Sequence, residues 1–270
     1  MKGLREILGE RIRAGISEPF SEEHIKLIRP AIRIIPDDRP VPNRLHSKFG
    51  GVPLIQEGES WLRTTRGKPY LFILQIDLEE VTSYDEERQL PAKGILTVWH
   101  SPSYWEDGKV IYYPSKAGLV AADLPTEYYE EQKRAKVPFL KRLFTKSNHF
   151  KLFPERRIRF EIEYHCPSWD SLQMKLFHLQ NDTRLQDLEI DEKFIDDYCD
   201  EGQADHHLLG YYVGLQESIY ELGIVSKGRF PQRFTEDLIH EGLQWKLLLQ
   251  IDSDKITEMG WVDWGKLLFF

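Results

Sequence analysis

The feature that most constrains the fold of this chain is a seven-residue segment that occurs twice. Residues 71–77 read LFILQID, and residues 246–252, which start 175 positions later, read KLLLQID. Each copy is followed by a second apolar segment that begins with glycine, at residues 94–99 and 265–270. Short apolar runs bounded by glycine are typical of buried strands. A two-strand unit that occurs twice predicts two similar halves that build one β-rich body.

Each copy carries its polar residues at the same end of the predicted strand. Side chains two positions apart on a strand share a face, so each Gln lies beside the Asp that follows it. If the halves pair about a pseudo-twofold axis, these groups converge into a site for a polar ligand. The candidate ligand-binding residues are Gln75, Asp77, Gln250, Asp252 and Asp254. The alternative is structural: buried Gln satisfies backbone groups, and Asp caps a turn.

The carboxylates of the second copy raise the question of a cation. Asp252 and Asp254, with Asp77 and Glu79 in the matching register, offer oxygen ligands of the kind that Mg²⁺ and Ca²⁺ prefer. Two carboxylates with no third ligand nearby in the sequence are more typical of a solvated turn. We therefore expect no tightly bound metal and no cofactor.

The rest of the chain alternates short strand and helix patterns. Apolar periodicity predicts further strands at 31–35, 94–100, 110–113 and 157–165, and helices at 3–14, 126–147 (broken at Pro138), 192–200 and 235–241. The Gly50-Gly51-x-Pro53 element predicts a tight turn with backbone angles that favour glycine. The fold class is therefore α+β, strand-dominated, with mostly antiparallel sheet. No low-complexity linker divides the chain, which predicts one domain over 1–270 with a helical and extended lead-in at 1–44.

Composition limits the classes of partner. The formal net charge is −8, which weighs against nucleic-acid and anionic-membrane binding because both depend on cationic attraction. A basic run at 133–146 is interleaved with apolar residues, as in an amphipathic surface segment. The two cysteines form no CxxC pair, no apolar stretch is long enough to span a bilayer, and the charged N-terminus does not resemble a signal peptide. We expect a cytoplasmic protein.

Catalytic motifs are not recognisable in the sequence. A Gly-rich phosphate loop, a Gly-x-Ser-x-Gly and a His-Glu-x-x-His are all missing from it. His206 and His207 are adjacent, so on a strand they point to opposite faces and do not readily chelate one metal. His165 and Cys166 are adjacent too, but a nucleophilic pair needs a spatial approach that adjacency does not supply. No catalytic residue is therefore assigned.

A set of weak motifs, taken in order, resembles the YwqG-like family, an uncharacterised and mainly bacterial family. The set is Gly50-Gly51-x-Pro53, Gln75-Ile-Asp77, Leu90-Pro91-x-x-Gly94, Leu209-Gly210-Tyr211 with Gln216, and Trp245-x-Leu-Leu-Leu-Gln250-Ile-Asp252-Ser-Asp254. The resemblance covers about 45–270. It implies a β-rich roll with peripheral helices, which the strand pattern independently favours, and no established activity. Because the family's genomic setting includes secreted-toxin loci, it also implies an immunity or accessory role.

The chain departs from the family pattern in two places. Asp263-Trp264-Gly265 stands where the family usually has Gly-Asp, and the family continues past the last strand whereas this sequence stops at Phe270. The leading functional hypothesis is a non-enzymatic binding or accessory protein whose partner is another protein, of the toxin-immunity type. The alternative is an enzyme or small polar-ligand binder that uses the Gln/Asp cluster. The sequence does not distinguish them.

Overall fold

The computed structural model describes residues 3–15, 20–102, 108–136, 150–167, 171–181, 206–213, 235–261 and 265–270. The strands are β1 (Arg29–Asp37), β2 (Lys48–Phe49), β3 (Leu54–Gln56), β4 (Leu71–Asp77), β5 (Ile95–His100), β6 (Lys109–Tyr113), β7 (Leu119–Ala121), β8 (Arg156–His165), β9 (His207–Leu209), β10 (Leu249–Asp252) and β11 (Lys266–Phe269). The helices are α1 (Leu4–Gly15), α2 (Phe20–Lys26), α3 (Leu78–Val81), α4 (Thr126–Ala135), α5 (Leu172–Asn181) and α6 (Glu236–Gly242). The predicted helix at 192–200 and the predicted continuation of α4 over 137–147 lie outside the described residues.

The chain divides into two compact units. Unit 1 comprises Met1–Arg33, Glu161–Asp252 and Lys266–Phe270, and unit 2 comprises Ile34–Phe160 and Ser253–Gly265. Two of the boundaries fall within β1 and β8, and the other two follow β10 and precede β11. The prediction of one domain over 1–270 stays a prediction.

Both units are built on antiparallel strands. In unit 1 the strand order is β11-β10-β9-β1, and in unit 2 it is β8-β2-β4-β5-β6, with a separate β3-β7 pair. Helices make up the other regular elements among the described residues. The predicted class of an α+β protein with mostly antiparallel sheet is confirmed.

The core of unit 2 forms on the continuous apolar runs of β4 and β5. Every residue of β5 is buried, and β4 is buried from Phe72 onward, so these strands have no wet face. Trp99 is fully buried and packs edge-on against Trp61 and Phe72, with ring centroids 5.4 and 5.2 Å away. Trp61 also donates its indole N–H to the Tyr70 carbonyl at 2.8 Å, so its polar atom is satisfied inside the cluster.

The core of unit 1 is shared between helices and strand ends. The apolar face of α1 places Ile12 against Ile28 and Cys166. A second cluster joins α5 and α6 through Leu172 and Ile239. Helix α6 begins after Thr235, whose hydroxyl accepts a hydrogen bond from the Leu238 N–H, as an N-cap does.

Several boundaries differ from the sequence expectation. Strand β1 runs through Pro36 to Asp37, although the sequence analysis ended this strand before Pro36. The second Gln-Ile-Asp strand is shorter than the first, because β10 begins only at Leu249. Trp245, which precedes the second copy of the repeated segment, is 39% exposed.

The predicted strand at the end of the sequence is confirmed. Strand β11 pairs antiparallel with β10 over four residue pairs, and its side chains are half-buried. Phe270, which follows it, is 41% exposed, so this end of the strand reaches water. None of the helices in the described part of the chain is long and apolar enough to cross a membrane.

Candidate functional site

Gln75, the first predicted site residue, is fully buried in β4 of unit 2. Its side-chain oxygen accepts a hydrogen bond from the Leu54 N–H at 3.3 Å. Its side-chain nitrogen donates to the carbonyls of Arg44 and His46 at 2.7 and 2.9 Å. The amide therefore satisfies three backbone groups, two in the segment that precedes β2 and one at the start of β3.

Gln250, at the matching place in β10 of unit 1, is also fully buried. Its side-chain oxygen accepts a hydrogen bond from the Val213 N–H at 3.1 Å, and its nitrogen donates to the Val213 carbonyl at 3.1 Å. The side chain thus pairs with one residue as a neighbouring strand would. The prediction that both glutamines are buried and bonded to backbone groups is confirmed.

The hairpins that contain the two glutamines have the same register. Gln75 lies opposite Thr97 and Asp77 opposite Ile95, just as Gln250 lies opposite Leu268 and Asp252 opposite Lys266. One further bond extends each hairpin. The Leu78 N–H donates to the Gly94 carbonyl at 3.0 Å, and the Ser253 N–H donates to the Gly265 carbonyl at 3.2 Å.

Each glutamine strand also pairs with a short strand followed by a tight loop. Lys48 of β2 lies opposite Gln75, and His207 of β9 lies opposite Gln250. We call residues 50–54 the first loop and residues 209–213 the second loop. Both loops open with two residues of positive φ, which are Gly50 (54°), Gly51 (67°), Leu209 (62°) and Gly210 (71°). The turn predicted at Gly50-Gly51 is therefore present, and a matching one follows β9.

The bonds that hold the two loops correspond position by position. The Gly50 N–H donates to the Ile73 carbonyl at 2.8 Å, and the Leu209 N–H donates to the Leu248 carbonyl at 3.1 Å. These acceptors stand two residues before their respective glutamines. The donors that the glutamines accept from, Leu54 and Val213, stand six residues after Lys48 and His207.

The side chains of Lys48 and His207 contact corresponding backbone carbonyls in the first and second loops. Lys48 Nζ donates to the Val52 carbonyl at 2.9 Å, and His207 Nε2 lies 3.0 Å from the Tyr211 carbonyl. Both acceptors stand four residues after the donor. Lys48 also forms an ion pair with Glu155 at 2.7 Å, and its side chain is almost wholly buried.

The three aspartates of the predicted site bond to neighbouring groups. Asp77 caps α3 by accepting from the Glu79 N–H at 3.2 Å, and it forms an ion pair with Lys116 at 2.7 Å. Asp254 accepts from the Ile256 and Thr257 N–H groups at 2.9 and 3.3 Å, as a turn-capping aspartate does.

Asp252 in unit 1 lies 3.5 Å from the Lys266 ammonium, and its backbone N–H donates to His206 Nδ1 at 3.0 Å. Of the predicted site residues, Gln75, Asp77 and Asp254 belong to unit 2, whereas Gln250 and Asp252 belong to unit 1. Their assignment as a ligand site stays a prediction.

A cluster of titratable side chains that the sequence analysis did not assemble lies beside the second loop. Glu163, His165 and His207 place one ligand atom each within 4.8 Å of one another. His165 Nε2 is 2.9 Å from Glu163 Oε1, and the two imidazole rings meet edge-to-face with centroids 4.6 Å apart. His207 stands 42 residues after His165 in the sequence, so the cluster could not be predicted from a local sequence motif.

Cys166 is the residue after His165 in the sequence, but its environment differs from that of a reactive thiol. Its side chain is buried among Ile12 and Ile28, and this burial raises the pKa of the thiol to about 12. A thiol acts as a nucleophile only as the thiolate, which a raised pKa disfavours at neutral pH. The chemistry of Cys166 is therefore that of a core residue.

The class defined by these observations is an α+β protein in which matched polar side chains secure two backbone loops. A family model described as Domain of unknown function (DUF1963) matches residues 47–270. Because this match spans most of the sequence, the chain belongs to that family. No curated protein sequence matches the chain at a significant level.

Proposed function

We propose that the chain is a non-enzymatic, cytoplasmic binding or accessory protein that works by engaging another protein. The observation that carries this proposal is the use of the glutamine side chains. Gln75 and Gln250 are the buried polar groups around which a ligand site was predicted. The side-chain amides of both residues form hydrogen bonds with backbone groups of neighbouring segments. An amide committed in this way offers little to a substrate, because releasing it leaves buried backbone groups unpaired.

The environment of the other reactive groups supports the same proposal. Cys166 is a buried thiol with a raised pKa, and Asp77 and Asp254 cap backbone turns. The alternative, an enzyme or small polar-ligand binder that uses Gln75, Asp77, Gln250, Asp252 and Asp254, would need these bonds to rearrange.

The distribution of charge indicates the chemistry of the partner. Residues 182–205 contain ten Asp or Glu against two Lys or Arg, a net charge of −8 that equals the formal net charge of the whole chain. The remaining sequence is therefore balanced. A concentrated acidic stretch attracts basic proteins and accelerates their association, especially at low ionic strength. The partner we propose is a basic protein, as a toxin-immunity role would require.

We also propose that the two halves are a structural duplication. The register of the hairpins, the paired positive-φ residues and the donors at Lys48 and His207 recur position by position. Strands β2, β4 and β5 would then correspond to β9, β10 and β11. Pro154 before β8 and Pro30 in β1 stand at matching places relative to the loops, so β8 would correspond to β1. On the motif order described above, we assign the chain to the YwqG-like, β-roll branch of the family in bacteria.

Binding kinetics with the isolated partner test this function. Complexes formed with the tagged chain in its source cells are identified by mass spectrometry, and the partner is then produced separately for association-rate measurements. We expect the rate to fall as salt is raised from 50 to about 300 mM, because added ions screen charges beyond roughly 10 Å. The Asp196→Asn/Asp197→Asn variant should associate roughly fivefold more slowly.

The Glu57→Gln/Asp123→Asn variant is the matched control, since it removes two exposed acidic charges outside the 182–205 stretch. It should bind at the rate of the unmodified chain. Equal rates in both double variants, with no salt dependence, would contradict a basic partner. Stabilisation by a small polar ligand that is lost on replacing Asp77 would support the alternative function.

A further inference from the structure

The two matched loops differ at the side chains that hold them. In unit 2 the loop carbonyl of Val52 is bound by Lys48, which is paired with Glu155. In unit 1 the corresponding carbonyl, that of Tyr211, is approached by His207 and also by His165, whose Nδ1 lies 3.3 Å away. A single lysine is therefore sufficient to hold a loop of this kind. Unit 1 has two imidazoles and a carboxylate at this place.

The group has the composition of a transition-metal site. Imidazole nitrogen and carboxylate oxygen are the donors that Zn²⁺ takes in mixed sites, at about 2.0–2.2 Å. Glu163 Oε1 and His165 Nε2 are 2.9 Å apart, so they need to separate only slightly to reach the roughly 3.3 Å between two tetrahedral ligands at those bond lengths. The three ligand atoms lie within 4.8 Å of one another, so modest side-chain shifts bring them onto one ion.

We propose that Glu163, His165 and His207 form a binding site for one divalent transition-metal ion of the Zn²⁺ type. On binding, the ion takes the place of the proton shared between His165 Nε2 and Glu163 Oε1, and that proton is transferred through solvent to His165 Nδ1, so the ligand stays a neutral imidazole. A ring nitrogen of His207 supplies the third protein ligand. Side-chain exposure rises from 11% at His165 to 26% at Glu163, so the ion enters from the Glu163 side.

The Tyr211 peptide group provides the outer contact that orients the His165 ligand. His165 Nδ1 lies 3.4 Å from the Tyr211 N–H and 3.3 Å from the Tyr211 carbonyl. Nδ1 accepts from this N–H when Nε2 carries the proton, and it donates to this carbonyl when Nε2 binds the ion. Ligating histidines in metal sites usually have such a backbone partner on the second ring nitrogen.

Gly210 is what allows the His165 ring to reach the loop. Its φ is +71°, and a Cβ at this position would lie 2.7 Å from His165 Nδ1 and 2.6 Å from the Ala31 side chain. A larger residue would displace the ring or the strand. The second loop thus matches the first loop in backbone conformation and also accommodates an imidazole against its backbone.

This inference does not depend on the proposed binding function, and it departs from the sequence expectation of no tightly bound metal. That expectation considered ligands close together in sequence and centred on Asp252 and Asp254. The competing reading is that both histidines only hydrogen-bond the loop, as Lys48 does in unit 2. The two readings give different results with metal alone.

Zinc titration of the full chain is the test. The protein is stripped with a chelator, and Zn²⁺ is added in a calorimeter; in a parallel sample Co²⁺ is added and its visible absorption recorded. We expect saturable binding of one ion, tighter at pH 7.5 than at about pH 5.5 because protons compete for the imidazoles. Glu163→Gln and His165→Gln should each weaken binding by at least about tenfold, the loss seen even for outer contacts.

Two further variants separate metal binding from folding. His240→Gln removes an exposed histidine that faces Glu236 on α6, and it should bind Zn²⁺ as the unmodified chain does. His207→Gln keeps an uncharged side-chain donor for the Tyr211 carbonyl, so it should lose the metal while its melting temperature falls by only a few degrees. Equal affinity in Glu163→Gln, His165→Gln and the unmodified chain, or no saturable binding of either ion, would overturn the proposal.

Discussion

Several buried polar side chains among the described residues bond to the protein's own main chain. Gln75 and Gln250 complete loops, and Asp254 closes a turn. The sequence singles out these residues but leaves open whether they serve a ligand or the fold. The position of a residue on a strand face follows from period-2 alternation, whereas the partner that faces it depends on how distant segments pack.

His24 gives the unfolding free energy a defined pH dependence. Burial lowers its pKa from 6.5 to about 4, so between these values the unfolded chain binds more protons than the folded chain. The free energy of unfolding should therefore fall as the pH drops from 6.5 to 4, by up to about 3 kcal/mol, and change little from this source below pH 4.

Urea unfolding at pH 7, 5.5 and 4 measures this effect. His24→Gln should lower stability at all three values but flatten the pH dependence over that range. His100, whose pKa burial also lowers, titrates equally in both proteins and cancels in the comparison. The exposed His240→Gln variant should retain the full dependence. An unchanged slope in His24→Gln would show that this imidazole does not titrate as its burial requires.

Cys166 should be unreactive in the folded chain. Its thiol is buried and its pKa is raised to about 12, so at pH 8 very little thiolate forms. In a Cys199→Ser variant, the reaction of Cys166 with an aromatic disulfide reagent should be at least about 100-fold slower than in urea. Rapid reaction of the native thiol would reopen the assignment of a nucleophile next to His165.

At the scale of elements, the long apolar runs were predictable and the short ones were not. Strands β4, β5, β6 and β8 and helices α1 and α6 lie where periodicity places them, within one or two residues. Strands β2, β3, β7 and β9 have only two or three residues each, too few for a period to show. They form because hydrogen bonds from neighbouring strands stabilise them. These partners are distant in the sequence, so a local segment does not reveal them.

Strand β11 makes a testable contribution to stability. Its four residues pair with β10 and are half-buried, so removing them exposes part of that apolar surface and unpairs an edge. Truncation after Gly265 should cost roughly 3–6 kcal/mol and give insoluble or unfolded chain. Soluble yield and thermal melting report this directly.

Removal of Phe270 alone is the matched control for that truncation. This residue follows β11 and is 41% exposed, so its loss should leave the melting temperature within a few degrees. A soluble chain that ends at Gly265 and melts at the original temperature would show that the second hairpin is dispensable.

At the scale of the whole molecule, the repeated segment was the most informative part of the sequence. It predicted two similar halves, which stays a prediction, although the two hairpins share a register and each glutamine bonds to backbone groups. It did not indicate that Lys48 and His207 would bond to corresponding loop carbonyls, because a lysine and a histidine do not match in a comparison of the two segments. The Glu163-His165-His207 cluster was equally hidden, since its members are brought together from β8 and β9.

The free energy of unfolding of two glutamine variants tests most directly whether the repeated polar residues serve the fold. Gln75→Leu and Gln250→Leu leave buried backbone groups unpaired, so each should lose about 1–3 kcal/mol. Gln132→Leu on the exposed side of α4 is the control and should change stability little, since Gln and Leu have similar helix propensities. If both buried variants instead keep the stability of the unmodified chain and lose binding of a polar ligand, the glutamines belong to a ligand site and the account is wrong.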